Sequence, residues 1–314
     1  MKIVFMGTPE FAVASLDALV NSKHEVVGVV TVADKAAGRG KKIRYSAVKE
    51  YALEHNIALF QPEKLRDDSF TNDLVSLNAD VFVVVAFRML PKSIWSIPNN
   101  GTFNIHASLL PQYRGAAPIN HAIINNEKES GLTTFLIDEE IDTGNIILQK
   151  KVDISPEDDA GDLHDKLMEL SREIVIDTCE IIEKGNINLI PQKQLIDSEL
   201  KSAPKIFKQH CHIETNSAIE KAHNLVRGLS PYPASFVQIV SPEGKEFVLK
   251  IFKTKVENKG SKAGKIYTDN KTFLSLGLND GQLKVIEMQL QGKKRMPIED
   301  FLRGFNISEE WKWQ

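Results

Sequence analysis

The run KIVFMGTPEFAVASLDALVNSKHEVVGVVTV, residues 2–32, decides the fold class. It opens with a fully apolar strand, KIVFMG. Gly7-Thr8-Pro9 then turns the chain into a helix from about Pro9 to Ser22, with proline suited to a first turn that needs no N–H partner. EVVGVVTV follows as a second strand. The alternation continues outward with helices over 46–55 and 68–78, and with the strands VFVVVAF and GTFNIH. Valine runs without polar interruption read as strands buried on both faces, and repeated strand–helix units imply a doubly wound, mostly parallel sheet. LTTFLI and NIILQKKVDI then read as an antiparallel pair across the loop DEEIDTG, and 160–184 as a long amphipathic helix with Leu163, Leu167, Leu170, Ile174 and Ile181 on its apolar stripe.

The pattern degrades over GNINLIPQKQLIDSELKSAPKIFK. A helix over about 216–228 and five short strands (235–240, 246–252, 263–268, 272–277 and 282–290) come after it. Short strands with small turns fit a β-barrel of the oligonucleotide-binding type. The expected division is therefore a catalytic domain over 1–185, a linker over 186–208 that wraps the surface and a barrel domain over 209–314. A chain of 314 residues is long enough for two cores.

Composition narrows the classes. The chain is 42% hydrophobic and 26% charged, and no apolar stretch is long enough to span a bilayer. The start MKIVFMGTPEF reads as strand and turn, not as a secretion signal. Two cysteines, Cys179 and Cys211, fit a reducing compartment, so a cytoplasmic protein is expected. No long heptad or exposed apolar stripe argues for assembly, so a monomer is expected. The net charge of −3 conceals an asymmetry. Residues 1–200 carry 20 Lys and Arg against 30 Asp and Glu, whereas residues 201–314 carry 19 against 12. The basic last third reads either as a lysine-rich surface or as the seat of a polyanion.

Common site motifs are missing. GTPEFA is not the Gly-rich dinucleotide fingerprint, no phosphate-binding P-loop occurs, and HCH at 210–212 lacks a second ligand group for a metal. What stands out is Asn104 and His106 in TFNIHASLLPQYRGAAPIN, residues 102–120. Two residues apart on a strand, they share a face, and they stand at the strand's C-terminal end, where open α/β sheets bind ligands. They read either as satisfied polar core residues or as a pair that donates to a developing oxyanion and moves a proton. Asp142 in DTG is the matching third group, or a simple turn aspartate. The loop AAGRGKKIR, with Arg39, Lys41, Lys42 and Arg44, suits a phosphate backbone, or is an ordinary solvated loop.

Taken together, FMGTPEFA, AAGRGKK, NIHASLLPQYRGAAPI, DTG, APKI and LVRGLSPYPASF resemble the methionyl-tRNA formyltransferase family over nearly the whole chain. The resemblance implies 10-formyltetrahydrofolate as formyl donor, no metal, and initiator Met-tRNA as partner. It also implies Asn104, His106 and Asp142 as catalytic residues, and Ser108, Leu109, Leu110 and Pro111 as a folate-binding segment. Arg39, Lys41 and Lys42 are implied as tRNA contacts. VVAFRMLP, residues 84–91, matches the strand end that lines the pterin, with Arg88 where glycine is often expected. The competing readings are formylation of a small amine on the same fold, and an RNA-binding protein without catalysis.

Overall fold

The computed structural model describes residues 1–37, 42–185, 187–196, 198–308 and 310–314, with the backbone alone for 35–37, 42 and 43. The chain divides into two compact units. The first comprises Met1–Pro118, Glu129–Asp153 and His164–Ala203; the second comprises Ile119–Lys128, Ile154–Leu163 and Pro204–Gln314.

The first unit is built on a seven-stranded sheet. From one edge to the other its strands are Ile146–Asp153, Glu129–Leu136, Thr102–His106, Val81–Val85, Lys2–Gly7, Glu25–Val30 and Leu59–Phe60. The last five are mutually parallel, and the first two are antiparallel additions. Lys2–Gly7 lies in the middle of the five parallel strands, and Ile3, Val4, Phe5 and Met6 are fully buried, as are Val81, Phe82, Val83 and Val85 of its neighbour. Apolar side chains on both faces of these strands explain why their sequences do not alternate. The register places Val84 opposite Asn104.

The long helix is Ala160–Glu183. Its inner face differs in detail from the apolar stripe expected. Leu170 and Ile181 are only partly buried, and Ser171 and Thr178 occupy the inner face with no exposure. Their hydroxyls donate to helix carbonyls, Ser171 to Met168 and Thr178 to Ile174, so small polar residues are tolerated there. Arg172 on the same helix donates to Asp17 of the first helix, and the Tyr51 hydroxyl donates to the other oxygen of that carboxylate at 2.9 Å. The Arg172 hydrogen bond holds the Asp17 carboxyl below its usual range against the opposing effect of burial. Burial, followed by the Asp17 carboxylate, raises the Tyr51 hydroxyl. A depressed carboxylate contributes stability above its unfolded pKa of about 3.9 and loses it as pH falls through the folded value. Asp17→Asn is therefore expected to lower the melting temperature at neutral pH. Melting curves of the two proteins should converge in acid below about pH 4; a constant gap across pH would contradict this role.

The second unit carries an antiparallel sheet in the order Ile266–Thr268, Leu274–Gly277, Gln282–Leu290, Glu246–Glu257, Ser235–Val240, Lys312–Trp313. A bridge between Lys265 and Lys312 brings its two ends together into a nearly closed barrel. Val237, Ile239, Leu249, Ile251, Leu276, Leu283 and Val285 fill the interior. This is the architecture that the sequence implies, with three additions, one of them the two-residue strand Met296–Pro297, which pairs with Gln282–Leu290. The closing strand is too short to show periodicity and is anchored by the buried Trp313, and Ile298–Leu302 is a short helix. No described helix is long and apolar enough to cross a membrane.

The segment expected as a linker, 186–208, is divided. Its described residues up to Ala203 belong to the first unit. Ile190 bridges Ile146, and Ser202–Ala203 pairs with Arg114–Gly115.

Candidate active site

The site is assembled within the first unit at the C-terminal end of Thr102–His106. Phe103 and Ile105 point into the core, and Asn104 and His106 take the opposite face. His106 is nearly buried. Its Nε2 lies 2.9 Å from the Tyr113 carbonyl oxygen. A carbonyl only accepts, so Nε2 carries a proton. Nδ1 then faces Asp142 Oδ2 at 3.8 Å, an ion pair when the ring holds both protons. Orientation of the ring thus comes chiefly from a backbone carbonyl. Asn104 is half-buried, and its amide has no hydrogen-bond partner among the described residues.

Asp142 is itself held. Its Oδ2 accepts the Gly115 N–H at 3.0 Å. Three residues near the ring have positive φ: Tyr113 at 60°, Gly115 at 125° and Asp142 at 56°. Two of these are not glycine, a conformation that persists only when surroundings enforce it. The enforcement is visible. Tyr113 N–H donates to the Lys201 carbonyl at 2.6 Å, and the Asp142 loop is closed by Leu136 N–H donating to the Asn145 carbonyl at 3.0 Å. Gly144 passes so close to the Leu136 carbonyl that any side chain there would collide with backbone. The glycine of DTG is therefore required by packing.

Gln192 was not expected from the sequence. It is 2% exposed and its amide nitrogen donates to the carbonyls of Asp142 and Gly144, both at 2.9 Å. Its oxygen accepts from Arg114 Nε at 3.0 Å and Nη2 at 2.6 Å. One buried side chain therefore ties the Asp142 loop to the segment carrying Tyr113 and Gly115. It lies in a stretch without periodicity, so no spacing rule could have singled it out. Gln192→Leu leaves buried groups unpaired, each costing about 1–3 kcal/mol. The expected result is a lower melting temperature together with slower turnover; unchanged values of both would contradict it.

The SLLP segment forms a tight turn over the antiparallel strands. Thr133 Oγ1 donates to the Ser108 carbonyl at 2.6 Å and accepts the Leu110 N–H at 3.0 Å. Gln149 donates to the Leu110 carbonyl at 2.8 Å, and Ser108 Oγ donates to the Gln112 carbonyl at 2.6 Å. Ser108, Leu110 and Pro111 are buried within the protein; Leu109 alone of the four is partly exposed. Arg88 reaches across to the carbonyls of Pro62 at 2.9 Å and Glu63 at 3.2 Å. Arg39 and Lys41 lie outside the described residues, as does the side chain of Lys42. Among the described residues no group of three or more His, Cys, Asp and Glu could hold a metal ion.

Chemically, the arrangement offers a free amide donor, an oriented imidazole and a carboxylate around one strand end. Such a set can stabilise an oxyanion and accept a proton from an attacking group.

Comparison with known proteins places this geometry. The formyl transferase pattern matches residues 1–179, and the formyl transferase C-terminal domain matches 205–306. Methionyl-tRNA formyltransferase of Bacteroides fragilis is 49% identical over 315 residues, covering 99% of this chain and 97% of the relative. The protein of the same name from Flavobacterium johnsoniae is 48% identical, covering 99% and 98%. Among solved structures, WlaRD, a sugar 3N-formyl transferase crystallised in the presence of dTDP and 5-N-formyl-THF, superposes with a TM-score of 0.65 at 24% identity, covering 94% of this chain and 99% of that one. HypX from Aquifex aeolicus in complex with tetrahydrofolic acid gives 0.63 at 17% identity, covering 99% of this chain and half of that one. These two likenesses concern the fold.

Proposed function

The chain belongs to the formyl transferase family, and from that membership we propose that it transfers the formyl group of 10-formyltetrahydrofolate to the α-amino group of methionine on initiator tRNA. The observation that carries the reading is near-half identity to methionyl-tRNA formyltransferases over 99% of the chain. Two features support the donor: the Asn104 amide has no hydrogen-bond partner among the described residues, and the His106 ring is held on the same face of the strand by the Tyr113 carbonyl.

The residues divide the work as follows. Asn104 donates its amide N–H to the formyl oxygen as the amine attacks the formyl carbon and the oxygen takes up negative charge. His106, held by the Tyr113 carbonyl, adds positive charge on the same side. Asp142 accepts the proton that the attacking amine must lose, through water. Collapse of the adduct breaks the bond to the donor nitrogen, which takes up the proton passed back from Asp142 through water, leaving tetrahydrofolate, formylated methionine and the Asp142 carboxylate. The buried turn 108–111 shapes the folate side of the site, with Leu109 offering the exposed surface. Arg39, Lys41 and Lys42 contact the acceptor end of the tRNA, and the basic residues beyond 208 track its backbone. We read the protein as a cytoplasmic monomer with a catalytic domain, a connecting segment and a tRNA-binding barrel domain.

Acceptor choice tests the reading. With 10-formyltetrahydrofolate as donor, Met-tRNA should be formylated and small amines such as amino sugars should not. KM for tRNA should rise steeply with salt as phosphate contacts are screened. Preference for a small amine, or a KM indifferent to salt, would overturn it.

A further inference from the structure

Residues 198–203, the last stretch of the first unit, lie along the turn that follows SLLP. Ser202–Ala203 pairs in parallel with Arg114–Gly115, and the Ala203 carbonyl accepts the Ala117 N–H at 3.2 Å. The approach is close, for a Cβ on Gly115 would stand 2.5 Å from the Ala203 carbonyl oxygen. One step earlier, the Lys201 carbonyl accepts the Tyr113 N–H at 2.6 Å. Tyr113 is therefore held on its N-terminal side by Lys201 and on its C-terminal side by the paired strands.

Gln112 seats this segment. Its Oε1 accepts the Lys201 N–H at 2.8 Å, and its Nε2 faces the Glu199 carbonyl and Ser198 Oγ, both at 3.3 Å. The short bond carries most of the hold, because the other two lie beyond the usual range. The Gln112 carbonyl in turn accepts Ser108 Oγ at 2.6 Å. Lys201 thus gives its N–H to the Gln112 side chain and its carbonyl to the next residue along, Tyr113.

The consequence falls on His106. Tyr113 has a φ of 60°, a conformation that a non-glycine residue keeps only under constraint. Its carbonyl is the acceptor 2.9 Å from His106 Nε2. The proton stays on the ring nitrogen that has an acceptor. If Tyr113 relaxes and its carbonyl turns away, Nδ1, facing Asp142 at 3.8 Å, competes for that proton.

We propose that Gln112 is a positioning residue for His106: by seating residues 198–203 it fixes the Tyr113 carbonyl, and through it the tautomer and direction of the imidazole. The proposal rests on the role given to His106 above. Gln112 acts through Lys201 and Tyr113, and not on the reacting atoms.

The test compares the wild type with Gln112→Leu and with Gln112→Glu, which keeps an acceptor for the Lys201 N–H. Two readouts are taken where circular dichroism shows every protein folded. One is steady-state formyl transfer to Met-tRNA. The other is the nitrogen NMR spectrum of the His106 ring at a pH where the ring is neutral, assigned with a His106→Asn variant. The wild-type ring should carry its proton on Nε2. In Gln112→Leu a second population protonated on Nδ1 should appear, and kcat should fall about three- to tenfold, the loss expected of one net hydrogen bond, with both KM values unchanged. Gln112→Glu should restore the Nε2 tautomer and the greater part of kcat. A wild-type ring spectrum in Gln112→Leu would overturn the proposal whatever the rate, as would an equal loss of kcat in Gln112→Glu. Should Gln112→Leu not fold, Gln112→Ala takes its place under the same criteria. Absence of formyl transfer by the wild type would instead overturn the functional reading, and the ring spectra would still decide whether Gln112 positions His106.

Discussion

Asn104→Ala is expected to slow formyl transfer by about 10²–10³-fold, the usual consequence of deleting one oxyanion donor. The side chain is half-buried and has no hydrogen-bond partner among the described residues, so nothing in the fold depends on its amide. Its backbone stays paired with Val84 and Phe135 whatever the side chain. The loss should therefore appear in kcat, with the melting temperature and the KM for tRNA close to wild type. Asn104→Asp is a sharper variant, because it keeps the shape and sets an acceptor against a developing negative charge. Turnover within a few-fold of wild type in either would remove Asn104 from the reaction.

The second large effect is Asp142→Asn. The amide oxygen still accepts the Gly115 N–H, so the loop that Gln192 and Gly144 hold should keep its form. What disappears is the charge 3.8 Å from His106 Nδ1 and, with it, the base proposed for the attacking amine. General-base contributions of about 10²–10⁴-fold set the scale of the loss. A rate near wild type, with the fold intact by circular dichroism, would reduce Asp142 to a turn residue. Asp142→Ala is the less informative variant, because it also strips the Gly115 N–H of its partner.

Much of this was legible in the sequence because it rests on side-chain patterning. Unbroken valine runs imply strands buried on both faces, and the structure places them at the centre of the sheet. Asn104 and His106 share a face because period two is a property of every strand, and the structure brings Asp142 to His106 across 36 positions of sequence. What was not legible rests on backbone. The carbonyl of Tyr113 orients His106, yet a carbonyl belongs to every residue and leaves no signature. Gln192 braces the site from a stretch without helical or strand periodicity, so it read as part of a linker. The two-residue strand that closes the barrel is shorter than any repeat that could announce it.

The central claim is that this site moves a formyl group onto methionyl-tRNA, and a single turnover tests it most directly. Wild-type protein in excess is mixed with labelled 10-formyltetrahydrofolate and Met-tRNA, quenched, and the methionine released from the tRNA is identified. The account predicts one labelled formyl-methionine for each tetrahydrofolate formed, at a rate that Asn104→Ala lowers by about two to three orders of magnitude. Unlabelled methionine on the tRNA, or label appearing at equal rates in both proteins, would contradict it.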